Sequence, residues 1–339
     1  MPNRVLIIAE AGQNHNGDYD QAIRLVDVAK AAGADIVKFQ TGVPGLVMSR
    51  FAQKADYQKA STARDESQLD MNRKINLPLE AFRPLKEYCE KAGIRFLSTP
   101  FDLVSVDMLA GLGMDTFKIP SGEITNLPYL RKIGALGRKV ILSSGMCRLG
   151  EIEDALDILV QAGTRRKDII AMHCNTEYPT PYGDVNLRAM LTIRDALKIP
   201  VGYSDHSLGI EVPIAAVAMG AVAIEKHFTL DKNQPGPDHK ASLEPDELAA
   251  MVRSIRNIEL ALGDGVKRVT DSERKNMAIA RRSVHAARDL HTGEVLTDAD
   301  IIMKRPGDGI SPMEMDRVVG RKLRRDVGED CKLTWNDLG

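Results

Sequence analysis

Short apolar runs rich in β-branched residues alternate with amphipathic stretches along most of the chain. In residues 151–160 the apolar side chains recur at the helical period, and glycine closes several such stretches, as expected for a helix C-cap. The pattern predicts eight strands, at 5–9, 35–39, 94–98, 116–119, 139–143, 169–173, 200–203 and 221–226.

Eight strands that alternate with helices over about 260 residues predict a (β/α)8 barrel, the TIM barrel of the α/β class. A doubly wound open sheet is the alternative, and the count of eight favours the barrel. One long polar connection, at 41–77, follows the second strand. A connection of this length in a compact domain is usually functional, and in a barrel it lies at the C-terminal face of the strands.

Beyond residue 262 the pattern changes to a polar stretch followed by short strands and turns. We therefore predict a barrel domain at 1–265, a linker at 266–282 and a small β-rich domain at 283–339. A domain of about 57 residues is marginal by itself, so we expect it to pack on the barrel or on the barrel of a partner.

Composition and charge exclude several classes of protein. Lys plus Arg is 46 and Asp plus Glu is 47, so the net charge of -1 provides no basic field for nucleic acid or an anionic membrane. No run approaches the roughly 18 apolar residues of a membrane span. The four cysteines have no CxxC spacing, and the N-terminus lacks a signal-peptide pattern, so we expect reduced thiols and a cytoplasmic protein.

Polar side chains follow every predicted strand. Because the active site of a barrel enzyme lies at the C-terminal ends of its strands, we expect these side chains to meet in one site. They include Glu10, Lys38, Gln40, Thr99, Lys118, Ser121, Ser143, Asn175, His206, Glu225 and His227, and the Pro/Gly-rich loop 234–242 adds Asp238.

These residue types suggest several kinds of chemistry. His206 and His227, at neighbouring strand ends, are candidate ligands of a divalent metal, although a hydrogen-bonded structural pair is the alternative. Lys38 and Lys118 are candidates for binding a phosphate or carboxylate, for forming a Schiff base, or for simple salt bridges. Glu10 could act as a general base, orient a sugar hydroxyl, or pair with a cation.

Taken together, the motifs resemble those of the sialic acid synthase family, and residues 283–339 resemble the antifreeze-like (SAF) domain of that family. The match runs in order over nearly the whole chain. The motifs are IAEAGQNHNG (8–17), DIVKFQT (35–41), FLSTPFD (96–102), FKIPSGE (117–123), ILSSGM (141–146), HCNTEYPTP (173–181), GYSDHS (202–207), EKHFT (225–229), PGPDH (235–239) and KRPGDG (304–309).

The resemblance implies a phosphoenolpyruvate-dependent transferase that condenses phosphoenolpyruvate with an N-acylated mannose-type sugar and water and releases phosphate. It implies Mn2+, or another divalent cation such as Mg2+ or Co2+, and a domain-swapped homodimer. By this resemblance the metal ligands are His206 and His227, and the catalytic residues are Glu10, Gln40 and Asp238. The substrate-binding residues are Lys38, Thr99, Lys118, Ser121, Ser143, Asn175, Tyr178 and Arg305, the last reaching the partner's site.

One motif departs from the N-acetylneuraminate synthases of the family. Residues 175–177 read Asn-Thr-Glu, and the surrounding stretch is more similar to legionaminic acid synthases, which use 2,4-diacetamido-2,4,6-trideoxymannose. We therefore expect that sugar or N-acetylmannosamine, with Glu177 as a candidate contact for a C4 or C6 substituent. A Schiff-base lysine aldolase is the alternative enzyme, and a carbohydrate- or ice-binding protein is the non-enzymatic alternative.

Overall fold

The computed structural model describes residues 4–61 and 66–339, without the side chains of residues 57, 60 and 61. The chain forms two compact units, Met1–Asp264 and Gly265–Gly339. Most of the 41–77 connection is described, and its residues 62–65 lie outside the described part.

Within the described residues, the first unit contains one sheet of eight strands. Hydrogen-bonded neighbours are parallel, in the order β3-β2-β1-β8-β7-β6-β5-β4, and the two end strands β3 and β4 lie in contact, so the sheet curls into a barrel. This confirms the TIM-barrel prediction over the open sheet. The strands are β1 Leu6–Gly12, β2 Ile36–Thr41, β3 Arg95–Pro100, β4 Thr116–Ile119, β5 Lys139–Ser143, β6 Ile169–Cys174, β7 Val201–Asp205 and β8 Ala223–His227.

Several strands continue beyond their predicted ends. β1 reaches Gly12 and β2 reaches Thr41, whereas the apolar pattern stopped at residues 9 and 39. The additional residues include Glu10 and Gln40, whose polar side chains interrupt the apolar run that marks a strand in sequence. Hydrophobic patterning therefore ends these strands too early, at the point where their polar site residues begin.

Helices cover the outside of the barrel and hold apolar side chains against the strands. The helix at 149–162, for example, buries Ile152, Ala155, Leu156 and Leu159, the positions that its period predicts. The helices of the first unit are α1 Tyr19–Ala31, α2 Pro44–Val47, α3 Asp56–Ser61, α4 Gln68–Ile75, α5 Phe82–Ala92, α6 Leu103–Gly111, α7 Leu127–Ala135, α8 Leu149–Ala162, α9 Tyr182–Val185, α10 Arg188–Leu197, α11 Glu211–Ala218 and α12 Pro245–Leu262.

The two faces of β8 show how the barrel separates its interior from this outer layer. Side chains alternate along a strand, so Glu225 and His227 point to one face and Ile224 and Lys226 to the other. Lys226 is fully buried, and its Nζ lies 2.6 Å from Oδ2 of Asp205 in β7. Asp205 thus neutralises the outward-facing Lys226 within the barrel wall. The inward-facing Glu225 and His227 line the polar cavity.

The second unit has its own small apolar core, which includes Val284, Leu290 and Leu333. Its elements are α13 Asp271–Ala280, β9 Ser283–Ala286, β10 Ile301–Lys304 and α14 Met315–Val318, with β9 and β10 antiparallel. The stretch expected as a linker therefore contains α13, which begins after a capping box formed by Thr270 and Glu273. No helix in the described ranges is long and apolar enough to cross a membrane.

The contact between α7 and α8 generates a stability prediction. A Cβ at Gly134 would lie 2.5 Å from Cβ of Ala162 and 2.9 Å from the carbonyl oxygen of Leu159. Gly134→Ala must push the helices apart, and we expect a loss of about 1–3 kcal/mol of unfolding free energy. Gly150→Ala is the matched control, because a Cβ there meets nothing within 4 Å. Thermal unfolding followed by circular dichroism measures both, and equal stabilities would contradict the close packing.

Candidate active site

A cavity of about 510 Å³ lies at the C-terminal ends of the barrel strands. It contains most of the side chains that the sequence analysis selected. The predicted site residues in its wall are Glu10, Lys38, Gln40, Thr99, Lys118, Ser121, Ser143, Tyr178, His206, His227 and Asp238. Strand register explains part of this convergence, because Glu10 is paired with Lys38 on one side and with His227 on the other.

Two lysines and two glutamates form a buried charge network in this cavity. Nζ of Lys38 lies 3.0 Å from Oε2 of Glu10 and 3.5 Å from Oε1 of Glu225. Nζ of Lys118 lies 2.9 and 3.0 Å from the two carboxylate oxygens of Glu225. All four side chains are at most 4% exposed, so the formal charges of the group cancel where water cannot screen them.

The pKa values of the four groups in the network shift in different directions. Burial raises the pKa of Glu10, and the charge of Lys38 only partly opposes this. Burial acts in the same direction on Glu225, but the charges of Lys118 and Lys38 outweigh it and hold the pKa of Glu225 at about 2. Burial lowers the pKa of Lys118, whereas for Lys38 the two carboxylates overcome burial and raise the pKa. Glu225 is therefore the fixed anion, and Glu10 is the carboxylate that takes up a proton more readily.

Hydroxyl groups share the cavity wall with the two lysines. Lys38 donates a hydrogen bond of 3.0 Å to Oγ1 of Thr99, and Oγ of Ser121 accepts one of 3.0 Å from the backbone nitrogen of Gly145. A Cβ at Gly145 would lie 2.6 Å from Cγ2 of Thr176, so only glycine fits beside this serine. Together with Ser143, these groups supply hydrogen-bond donors around an anion at the lysines.

His206 and His227 lie side by side, with ring centroids 5.4 Å apart. The ring of Tyr178 stacks on His206 at 4.1 Å and meets His227 edge-on at 5.6 Å. Burial lowers the pKa of His206 to about 4 and the pKa of His227 well below its ordinary value. Both imidazoles are therefore neutral near pH 7, and each keeps a lone pair for a metal ion.

The hydrogen bonds of the two histidines fit a divalent cation. Nδ1 of His206 contacts the carbonyl oxygen of Asn175, which can only accept, so Nδ1 is protonated and Nε2 carries the lone pair. Nδ1 of His227 is buried and has no hydrogen-bond partner among the described residues. In the described ranges no group of three or more His, Cys, Asp or Glu side chains could hold a metal ion. A cation held by His206 and His227 would take its other ligands from water or substrate.

Asp238 and Gln40 complete this side of the cavity. Burial, with a smaller contribution from the charge of Glu10, raises the pKa of Asp238 to about 7. Its Oδ2 lies 4.0 Å from Nδ1 of His227. Nε2 of Gln40 donates a hydrogen bond of 3.0 Å to Oε1 of Glu10 and so orients that carboxyl group. Two carboxyl groups with raised pKa values therefore lie near the histidines.

Among the predicted site residues of the first unit, Asn175 does not line this cavity. Oδ1 of Asn175 accepts hydrogen bonds from the backbone nitrogen of Glu177 and from Oγ1 of Thr180, so its side chain closes a local turn. Its contribution is instead the backbone carbonyl that orients His206. Arg305 is an exposed residue of the second unit. Glu177, the candidate for sugar specificity, is exposed and outside the cavity wall, whereas its neighbour Thr176 lines the cavity.

Several residues of the wall were not among the predicted site residues. Glu225 was expected among the polar strand ends but was given no role, yet it neutralises two lysines and accepts a hydrogen bond of 3.2 Å from Ser204. The two-residue spacing between Glu225 and His227 on one strand was a usable signal, because it places both on the inward face. Gln13, Asn72 and Asn76 also line the cavity, and no motif marked them as a group.

A closed barrel of parallel strands with a charged cavity at their C-terminal ends defines a TIM-barrel enzyme. Residues 25–267 match the NeuB family and residues 281–339 match the SAF domain, so the chain belongs to the NeuB family. It is 52% identical to the N,N'-diacetyllegionaminic acid synthase of Campylobacter jejuni over 327 aligned residues. These residues cover 96% of this chain and 98% of that protein.

Two further relatives agree with this assignment. The N,N'-diacetyllegionaminic acid synthase of Legionella pneumophila is 45% identical over 334 residues, which cover 98% of this chain and 94% of that protein. The crystal structure of N-acetylneuraminic acid (sialic acid) synthetase from Leptospira borgpetersenii in complex with citrate superposes with a TM-score of 0.70 at 36% identity. That comparison covers 81% of this chain and 90% of the other.

The charge network predicts that Glu225→Gln leaves two buried ammonium groups with one carboxylate. Removing one partner of a buried ion pair costs about 3–5 kcal/mol, so the variant should unfold at a lower temperature. Because an anion can replace the lost charge, inorganic phosphate should raise the unfolding temperature of the variant more than that of the wild type. Glu153→Gln is the control, because Glu153 is exposed. It should change neither the unfolding temperature nor the response to phosphate. An equal response to phosphate in variant and wild type would contradict the network.

Proposed function

We propose that the protein is a nonulosonic acid synthase that makes N,N'-diacetyllegionaminic acid. The reaction joins C3 of phosphoenolpyruvate to the aldehyde carbon of open-chain 2,4-diacetamido-2,4,6-trideoxymannose, adds water at C2 and releases phosphate. The observation that carries the proposal is the cavity itself, in which two hydroxyl-surrounded lysines lie beside two neutral histidines. The names of the two legionaminic acid synthases support this sugar, and N-acetylmannosamine is the second candidate.

Lys38 and Lys118 bind the phosphate and carboxylate of phosphoenolpyruvate in this proposal, with donors from Thr99, Ser121 and Ser143. Both lysines are already paired in the free protein, so the entering anion must compete with Glu10 and Glu225. Glu225 is held as an anion by both lysines. Glu10, whose pKa burial raises, can instead take up a proton as the anion enters.

The same properties make Glu10 and Asp238 the candidate bases for the water that adds at C2. Burial raises both pKa values, that of Asp238 to about 7, so each carboxylate is a stronger base than an ordinary one. Gln40 orients Glu10, and Tyr178 covers both histidine rings. A divalent cation bound by His206 and His227 would polarise the aldehyde oxygen of the sugar.

We assign Mn2+ as this cation, with Mg2+ or Co2+ as alternatives, because imidazole nitrogens with oxygen ligands accept all three. We also propose a homodimer in which Arg305 of one copy contacts the N-acyl group of the sugar bound by the other. The alternative, a Schiff base at Lys118, needs a neutral amine. Burial lowers the pKa of Lys118 toward that state, whereas ionised Glu225, with both oxygens within 3.0 Å of Nζ, favours the charged amine.

The substrate assignment predicts metal-dependent phosphate release from phosphoenolpyruvate. With Mn2+ present, 2,4-diacetamido-2,4,6-trideoxymannose should support release and N-acetylmannosamine should support much less, while EDTA should abolish the reaction. Release only with N-acetylmannosamine would show that the assigned sugar is wrong and the assigned reaction is right. No release with either sugar, together with a covalent adduct after borohydride reduction, would favour the aldolase.

The metal assignment predicts that His206→Ala loses Mn2+ binding as well as activity. Titration calorimetry or electron paramagnetic resonance measures the binding independently of turnover. His291→Ala is the control, because His291 is an exposed side chain of the second unit. Full Mn2+ binding by His206→Ala would show that the metal lies elsewhere.

A further inference from the structure

Three carboxamide side chains form a neutral cluster in the cavity wall, which we call the amide cluster: Gln13, Asn72 and Asn76. Gln13 follows β1, Asn72 lies in α4 and Asn76 follows α4. Nε2 of Gln13 donates a hydrogen bond of 3.0 Å to Oδ1 of Asn72 and a second hydrogen bond to Oδ1 of Asn76. All three residues line the cavity, and none of them has a role in the mechanism above.

Backbone carbonyls fix the orientation of the two asparagine amides of the cluster. Nδ2 of Asn72 donates to the carbonyl oxygen of Gln68 at 3.0 Å, and Nδ2 of Asn76 donates to the carbonyl oxygen of Gly42 at 3.2 Å. A carbonyl oxygen can only accept, so neither asparagine can be turned over. Both therefore present Oδ1 to Gln13, and Gln13 must present its NH2 group to them.

The side chain of Gln13 has two polar atoms, and this arrangement uses only Nε2. Both amide hydrogens are donated within the cluster, and Oε1 has no hydrogen-bond partner in the described ranges. Because Gln13 lines the cavity, Oε1 is a pre-oriented acceptor available to a ligand. An acceptor of this kind binds an N–H or O–H group and repels phosphate and carboxylate oxygens.

Tight packing holds the two parts of the cluster together. Gly17, in the loop that begins with Gln13, has φ +75°, and a Cβ there would lie 2.5 Å from the carbonyl oxygen of Lys74 in α4. Only glycine allows this approach between the loop and the helix. The position of Oε1 is thus set by the backbone on both sides, which is the rigidity that selective recognition requires.

Apolar side chains share the cavity wall with the amide cluster, and Ser143 lies across the barrel from the strand that precedes Gln13. Half-buried Pro44, Val47, Met48 and Phe101 also line the cavity, and the first three lie in the 41–77 connection that carries the asparagines. Ser143, which we assign to phosphoenolpyruvate, ends β5, and β5 lies opposite β1 in the barrel order. The amide cluster therefore faces the cavity on the side away from that serine.

We propose that the amide cluster and these apolar side chains form the subsite for the C4 acetamido group of the sugar. Oε1 of Gln13 accepts the N–H of that group, and its methyl packs on the apolar residues. A C4 hydroxyl leaves the apolar surface uncovered and can turn its hydrogen to water, so it depends less on Oε1 than the fixed N–H of the acetamido group does. This inference rests on the proposed function and replaces Glu177, which is exposed, as the residue that recognises the substituent.

The test compares two sugars that differ only at C4. They are 2,4-diacetamido-2,4,6-trideoxymannose and 2-acetamido-2,6-dideoxymannose, used with phosphoenolpyruvate and Mn2+. Gln13→Met keeps the length of the side chain and removes its acceptor, so the ratio of kcat/KM for the first sugar over the second should fall about tenfold. The KM for phosphoenolpyruvate should not change, because the cluster binds no anion.

Two further variants keep the result interpretable. Asn76→Ala leaves Oε1 in place but frees one hydrogen of the Gln13 amide, so it should lower the ratio less than Gln13→Met does. Gln53→Met is the control, because Gln53 is an exposed glutamine of the same connection, and it should leave the ratio unchanged. Circular dichroism checks the folding of each variant, and Asn76→Ala carries the test if Gln13→Met does not fold.

The outcomes separate this inference from the proposed function. If the wild type uses the diacetamido sugar and both cluster variants lose activity with the two sugars equally, the cluster is only structural and the inference is wrong. If the wild type uses neither sugar, the proposed function fails and the subsite falls with it. A fall in the ratio without a change in the KM for phosphoenolpyruvate would establish the subsite.

Discussion

The buried network of Lys38, Lys118, Glu10 and Glu225 is the constraint on which the site depends. Four formal charges out of contact with water are tolerable only when each has an opposite charge close by. The barrel meets this condition by closing, because β1, β2, β4 and β8 then direct one charged side chain each to the same space. The network in turn sets the unequal pKa values that separate a fixed anion from a carboxylate able to exchange a proton.

The cavity combines two kinds of wall with different physical properties. The strand ends supply charged groups and imidazoles, held in place by the hydrogen-bonded ladder between strands. The loop after β1 and the 41–77 connection supply neutral amides and apolar side chains. Under the proposed function, the strand ends carry the chemistry and the two connections recognise the sugar.

Sequence reasoning succeeded where a side chain's direction follows from a regular element. Lys38, Lys118 and His227 lie at or near strand ends, and the two-residue period of a strand decides which face they join. It gave no side-chain directions for the loop at 175–177, where Asn175 closes a turn and Glu177 is exposed. There the direction of each side chain depends on local hydrogen bonds, which composition and spacing do not specify.

The sequence by itself determined the alternation of strands and helices, the number of strands and the polar character of their ends, since these follow from local hydrophobic periodicity. Only the tertiary structure decided which polar groups pair. Lys118 and Glu225 are 107 positions apart, and Gln13 lies 59 positions from Asn72, yet each pair is joined by a hydrogen bond. Such pairs form when the closing of the barrel and the path of a long connection bring distant segments together, and no local pattern records that distance.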